Sequence, residues 1–224
     1  MIRTIFFDYD GVLTTDKSGL LTTFRYLSEA SGIALSTIND AFNPHIGGLL
    51  LGRASHAEIW RHAMGGEMDM GLLARAFEST PLNRRMFSLA QKLKVNYSIG
   101  IITDNSKDRM DHLRKYQELD SLFSPIVVSA EVGGGKRENG IFLHAASCAG
   151  VAPDESIFID NSEANLVVAR AVGMHTVFHD DDRNDIGALM KELALLGAHV
   201  GDDMDIHPSG DGKDVLSGRM PASA

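Results

Sequence analysis

The chain has 224 residues, 44% of them hydrophobic, with a formal net charge of −9 and a single cysteine. That length holds one large domain, or a core with a small insert. The acidic balance argues against a nucleic-acid backbone or an anionic membrane as partner, and a lone thiol excludes an internal disulfide and fits a reducing, cytoplasmic setting. The N-terminus lacks the basic-then-apolar order of a secretory signal, and no run of ~18 apolar residues is present.

The first element is Ile5-Phe6-Phe7, running straight into Asp8-Tyr9-Asp10-Gly11. A short continuous apolar run of this kind reads as a strand buried on both faces. Gly11 permits a tight departure from it. Asp8 and Asp10 then stand close together at the strand's carboxyl end. Two carboxylates ~4 Å apart at an effective dielectric of ~20 repel by about 4 kcal/mol, so a cation, a lysine or a shared proton is expected beside them.

From Leu20 to about residue 80 the pattern is helical, with no strand signal. Leu20, Leu21, Phe24, Leu27 and Ser28 mark one face, and Gly32 is the expected stop. Ser36 is a candidate cap for a helix to Phe42. Residues 46–52, with three glycines, read as a flexible apolar connection, and Ser55 caps a helix through Ile59, Trp60 and His62. Met70 to Phe77 forms another short helix.

Pro81 marks the return. Helices and strands then alternate: a helix from Asn83, a strand to Ile102, a helix to about Tyr116, a strand at Ile126-Val127-Val128, a helix from Gly140, a strand at Ile157-Phe158-Ile159, a helix from Glu163, a strand at His175 to Phe178, and a last helix to Leu196. This alternation predicts an α/β fold with a parallel sheet and right-handed crossovers. Cys148 lies in a small-residue helical stretch and is expected to be buried. Residues 200–224 are rich in Asp, Gly, Ser and Pro and are expected to be a disordered tail.

In such sheets the working residues gather at the carboxyl ends of strands. Here those ends carry Asp8 and Asp10, Thr103, Lys136 and Asp160. The set suits phosphoryl transfer. Asp8 can be a nucleophile, and Asp10 can protonate the leaving oxygen and later activate water. Thr103 offers a hydroxyl with neighbouring backbone N–H groups, Lys136 a cation, and Asp160 a second carboxylate for Mg²⁺. Gly135-Lys136 is not a phosphate-binding P-loop, because Ala130 replaces its first glycine and Arg137 follows the lysine. The single HxxxH spacing among the nine histidines, His175 to His179, begins on an expected strand rather than a helix, which speaks against a zinc site of that type.

With these residues in place, the chain resembles a haloacid dehalogenase (HAD) superfamily hydrolase over about residues 1 to 180. Asp8-Tyr9-Asp10-Gly11-Val12-Leu13-Thr14 matches the family's first motif, Thr103 the second, Lys136 the third, and Phe158-Ile159-Asp160-Asn161-Ser162-Glu163-Ala164-Asn165 the fourth. The resemblance implies a Rossmann-like core of strand order 5-4-1-2-3, built from residues 1–14 and 81–199, with a helical cap at 15–80. It implies Mg²⁺ held by the Asp8 carboxylate, the Asp10 backbone carbonyl and the Asp160 carboxylate. The stretch Gly52 to Trp60 is similar to subgroup members acting on sugar phosphates and to the phosphatase domain of soluble epoxide hydrolases. Two positions depart from the pattern: Asn161 replaces a usual second acid, and Asp104 follows Thr103 where an Asn is common.

The expected activity is Mg²⁺-dependent hydrolysis of a small phosphorylated metabolite through an aspartyl-phosphate, by a monomer or homodimer. Asp104, Arg53, His45 and Trp60 are candidate substrate contacts. For Trp60, packing within the cap is the leading alternative, and for Arg53 and His45 it is solvated surface. A phosphomutase and a non-catalytic regulatory module are the other functional readings. Asp10 weighs against dehalogenation, because a halide leaves without a proton.

Overall fold

The computed structural model describes residues 1–200, so all but the first residue of the expected tail lies outside the described residues. Five parallel strands form the sheet: β1 (Thr4–Phe7), β2 (Ser98–Thr103), β3 (Ile126–Val128), β4 (Ser156–Asp160) and β5 (His175–Phe178). Their order is β3-β2-β1-β4-β5, the expected one read from the other edge. β1 is central, pairing Phe7 with Ile101 on one side and with Ile159 on the other. This is the Rossmann-like α/β arrangement.

Both sheet faces are buried, which explains the unbroken apolar runs. Ile5 and Phe7 of β1 face one core with Ile101, Ile157 and Ile159. Phe6 faces the other, with Ile102, Phe142, Phe158 and Leu166. Helices α6 (Arg84–Leu93) and α12 (Ile186–Leu195) bury residues in the first core; α10 (Asn139–Ala149) and α11 (Glu163–Ala171) bury residues in the second. Helix α7 (Lys107–Tyr116) follows β2, the short α8 (Leu119–Leu122) precedes β3, and α9 (Ser129–Val132) follows it.

Between β1 and α6 lie five helices: α1 (Gly19–Ser31), α2 (Leu35–Phe42), α3 (Ile46–Leu50), α4 (His56–Met64) and α5 (Met70–Glu78). Helix α1 ends on Gly32 in the left-handed conformation, and Ser55 caps α4 in a reciprocal box with Glu58. Phe24, Phe42, Leu49 and Trp60 of this block join the same core as Ile5 and Phe7, so the apolar contact runs unbroken from the sheet into the helices. The chain enters and leaves the block through paired crossings. Thr14 bridges Leu82, and the Thr15 amide donates to the Pro81 carbonyl at 3.0 Å.

Three local expectations are corrected. Residues 46–50 are helical despite two glycines, because Leu49 is fully buried and the Leu50 carbonyl accepts from Ser129 Oγ at 2.7 Å. Ser36 lies inside α2, whose N-cap position is Ala34. Cys148 is exposed, since α10 buries the stripe Ile141, Phe142, Ala145 and Ala146 and the thiol falls off it. Among the described residues no helix is long and apolar enough to cross a membrane.

Candidate active site

The end of β1 runs into a wide five-residue turn, Tyr9–Leu13, with Gly11 at φ +82°. That conformation strains any residue bearing a Cβ, and a Cβ here would also overlap the Asn161 side chain. Gly11 therefore lets the first and fourth motifs touch. The turn closes through the Gly11 amide, which donates to Thr14 Oγ1 at 3.1 Å.

A cavity of about 330 Å³ lies over the strand ends. Asp8, Asp10, Thr103 and Lys136, all anticipated from the sequence, line it together with Asp104. The helical block contributes Lys17, Ser18, Gly19, Leu20 and Leu50 to the wall; the core adds Asn105, Arg137, Asn161, Ser162 and Asn165.

Asp8 is 6% exposed. Its Oδ1 accepts from the Tyr9 amide at 2.7 Å and lies 2.7 Å from Lys136 Nζ. Its Oδ2 has no hydrogen-bond partner among the described residues. Burial drives the Asp8 carboxyl well above its usual range; Lys136 pulls it back down, while Asp160 and Asp10 push it further up. Burial also works against charge on Lys136, but Asp8, Asp160 and Asp104 outweigh it and hold the ammonium proton more firmly than usual. Two buried carboxyl groups thus share one ammonium, and Asp8 holds a proton more readily than an ordinary carboxyl.

The Asp104 carboxylate accepts from the Lys136 amide at 2.9 Å, which pins the loop that delivers Lys136. Asp160 is fully buried. Its Oδ2 accepts from Lys136 Nζ at 2.8 Å and from Asn165 Nδ2 at 3.0 Å; its Oδ1 accepts from the Ser162 amide at 2.6 Å. Asp160 is absent from the cavity wall, and its neighbour Asn161 is on it. The Asp160 carboxylate, expected to face a metal, is held by Lys136, Ser162 and Asn165 behind that wall.

The three block residues expected near substrate lie elsewhere. Trp60 is packed in the core at 9% exposure. Arg53 lines a separate cleft with Ser55, Lys107 and Asp111. The His45 ring meets His62 edge-on, 6.4 Å between centroids. Lys17, which does reach the cavity, is paired with Asp181 and Asp182.

Arg109 was not anticipated. It is 1% exposed and grips both oxygens of the Asp10 carboxylate, Nη1 to Oδ2 at 2.9 Å and Nη2 to Oδ1 at 3.0 Å. The available signal was its helical spacing: Arg109 shares a face with Met110 and Leu113, both fully buried. Arg137 was noted only for breaking a P-loop pattern. It lines the cavity, is exposed, and has no partner among the described residues.

Asp8, Asp10 and Asn161, which can each offer an oxygen ligand, all line the cavity. Hard divalent cations such as Mg²⁺ take such donors and keep several waters. The crowding of carboxyl groups that raises Asp8 is what a bound cation would relieve, a second reason that the site fits one.

A family model for haloacid dehalogenase-like hydrolases matches residues 2–173. The chain belongs to this family and is a hydrolase of the HAD type. A predicted HAD-like hydrolase from Porphyromonas gingivalis is 25% identical and superposes with a TM-score of 0.69, covering 86% of this chain and 98% of that one. A HAD-family enzyme from Bacteroides thetaiotaomicron, in complex with magnesium and inorganic phosphate, gives a TM-score of 0.66 at 24% identity over 81% of this chain and 96% of that one. The rat bifunctional epoxide hydrolase 2 is 29% identical over 125 residues, 54% of this chain; the match spans less than a quarter of that relative, 23% of its length.

Proposed function

We propose that the chain is a Mg²⁺-dependent phosphatase that hydrolyses small phosphate monoesters through an aspartyl-phosphate on Asp8. The observation that carries this reading is the meeting of Asp8, Asp10, Thr103 and Lys136 at one cavity, with Asp8 Oδ2 left without a partner among the described residues. The magnesium and phosphate bound by the Bacteroides enzyme support it.

In this reading Asp8 Oδ2 attacks phosphorus as the ester P–O bond breaks. Asp10 delivers its proton to the departing oxygen, so the alcohol leaves neutral. Asp10 then takes a proton from water, and that water attacks phosphorus, releasing inorganic phosphate and restoring Asp8. The Thr103 hydroxyl and the amides after β2 hold phosphoryl oxygens, and Lys136 offsets their charge. Bound Mg²⁺ would supply charge neutralisation between the phosphoryl oxygens and Asp8. Asp8 Oδ2, the Asp10 backbone carbonyl and the Asn161 side-chain oxygen are the groups that would hold it, while Asp160 positions Lys136. The requirement for a proton at the leaving atom favours a phosphate ester over a halide.

Residues 15 to about 80 act as a cap over a core of 1–14 and 81–199, presenting Lys17, Leu20 and Leu50 to the substrate. With Lys17 paired to two aspartates, Arg137 is the cation left among the described residues for the non-reacting part of the substrate. The test is a panel of phosphorylated metabolites assayed for phosphate release with and without Mg²⁺. Phosphate release from some members, lost on chelation, is expected. Metal-independent release, or none from any ester, contradicts the reading.

A further inference from the structure

Arg109 is the largest side chain among those fully buried. Burying a guanidinium is costly unless every contact compensates, and its Nε has no partner among the described residues. The other donors converge on one purpose. Besides its two bonds to Asp10, Nη1 donates to Asn105 Oδ1 at 3.0 Å and Nη2 to Thr80 Oγ1 at 3.1 Å. Asn105 Nδ2 in turn donates to Asp10 Oδ2 at 2.9 Å. The guanidinium carbon sits 5.6 Å from the Tyr9 ring centroid.

Counting lone pairs shows what this does. A carboxylate oxygen accepts about two hydrogen bonds. Oδ2 of Asp10 already accepts two, from Arg109 and Asn105; Oδ1 accepts only one, from Arg109. Asp10 lines the cavity, so the remaining position on Oδ1 is the one open to a substrate oxygen or a water.

The same guanidinium lies against residues at both ends of the helical block. Thr80 lies on the return from the helical block, and Gly19 opens its first helix. A Cβ at Gly19 would overlap the guanidinium, so this position admits only glycine without displacing Arg109. Any shift of the block relative to the sheet moves Gly19 and Thr80 against Arg109, and Arg109 has Asp10 by both oxygens.

We infer that Arg109 is the positioning residue for Asp10: it leaves Oδ1 as the proton-transferring oxygen and passes displacements of Gly19 and Thr80 to it. This rests on the phosphatase reading. The alternative is a buried ion pair that only holds the fold.

The experiment compares two esters of similar size, phenyl phosphate and p-nitrophenyl phosphate, in wild type, Arg109→Lys, Thr80→Val and Gly19→Ala, with thermal melting of each. Phenolate is a poor leaving group and needs the proton; p-nitrophenolate departs without it. Misplacing Oδ1 should therefore lower kcat on phenyl phosphate by about tenfold more than on p-nitrophenyl phosphate, within the 10²–10⁴-fold that a general acid supplies. KM should change little on either. Lysine keeps the charge but loses the fork, so Arg109→Lys should show the same selective loss. If Arg109→Lys does not fold, Thr80→Val and Gly19→Ala carry the test. Equal losses on both esters, or losses in KM alone, overturn the positioning role while leaving the phosphatase reading intact. A wild type that hydrolyses neither these esters nor the metabolite panel removes the phosphatase reading, and this inference with it.

Discussion

The Lys136 ammonium lies 2.8 Å from Oδ2 of Asp160, and both groups are buried. The contact fixes the lysine against Asp8 and turns Asp160 away from the cavity. Asn161, one residue on, takes the place on the wall. A neutral amide there brings an oxygen donor but no charge.

Magnesium affinity should therefore follow Asn161 rather than Asp160. Asn161→Asp adds a carboxylate at the wall and is expected to tighten Mg²⁺ binding by about tenfold or more, on the scale of changes around metal sites. Asp160→Asn is expected to leave Mg²⁺ affinity within a few-fold but to misplace Lys136, lowering turnover and costing about 3 kcal/mol of stability as a buried pair is broken. Calorimetric titration of Mg²⁺ into each variant, with urea unfolding, checks both. Loss of Mg²⁺ binding in a folded Asp160→Asn would return the metal to Asp160.

Arg137 reaches the cavity without a partner among the described residues. Arg137→Ala is expected to raise KM about tenfold for esters carrying a second anionic group, the value of one charge-assisted hydrogen bond. For p-nitrophenyl phosphate the rise should be several-fold smaller. Steady-state kinetics on the two kinds of ester separates these outcomes; an equal rise would place Arg137 on the phosphoryl group itself.

Asp108 joins the helical block to the core. It accepts from the His56 amide at 2.8 Å, and His56 Nδ1 lies 3.0 Å from each of its oxygens. Burial works against its charge, but the His56 contacts win and hold the carboxyl down at about 2. A carboxyl depressed on folding adds stability above its unfolded pKa and loses it as pH falls through the folded one. The contribution, about 2 kcal/mol, should be complete above about pH 4 and vanish toward pH 2. Urea unfolding of wild type and Asp108→Asn at descending pH should show a stability gap that closes as pH falls from about 4 toward 2. A gap that widens on acidification contradicts the assignment.

The sheet was legible because strands buried on both faces are written as unbroken apolar runs such as Ile5-Phe6-Phe7, and each run stops at a polar residue. Asp8, Asp10 and Thr103 could be read as a site for that reason. Lys136 emerged from its loop and the order of the motifs. Asp160 and Asn161 could not be ranked this way. Adjacent residues at a strand end point in different directions, and only the contacts of Asp160 to Lys136, Ser162 and Asn165 decide which faces the cavity. Helix α3 was hidden because Gly47 and Gly48 carry a poor propensity that the burial of Leu49 overrides. Arg109 was hidden because charge in a helix reads as a solvated face, and its partner Asp10 is 99 residues away in sequence.

The central claim is that Asp8 carries the phosphoryl group. The most direct measurement is acid quenching during turnover of p-nitrophenyl phosphate with Mg²⁺, followed by mass analysis of the peptide containing Asp8, in wild type and Asp8→Asn. The account predicts a phosphoryl adduct on Asp8 in the wild type, and neither adduct nor turnover in a folded Asp8→Asn. Undiminished turnover in Asp8→Asn, or an adduct on another residue, would contradict it.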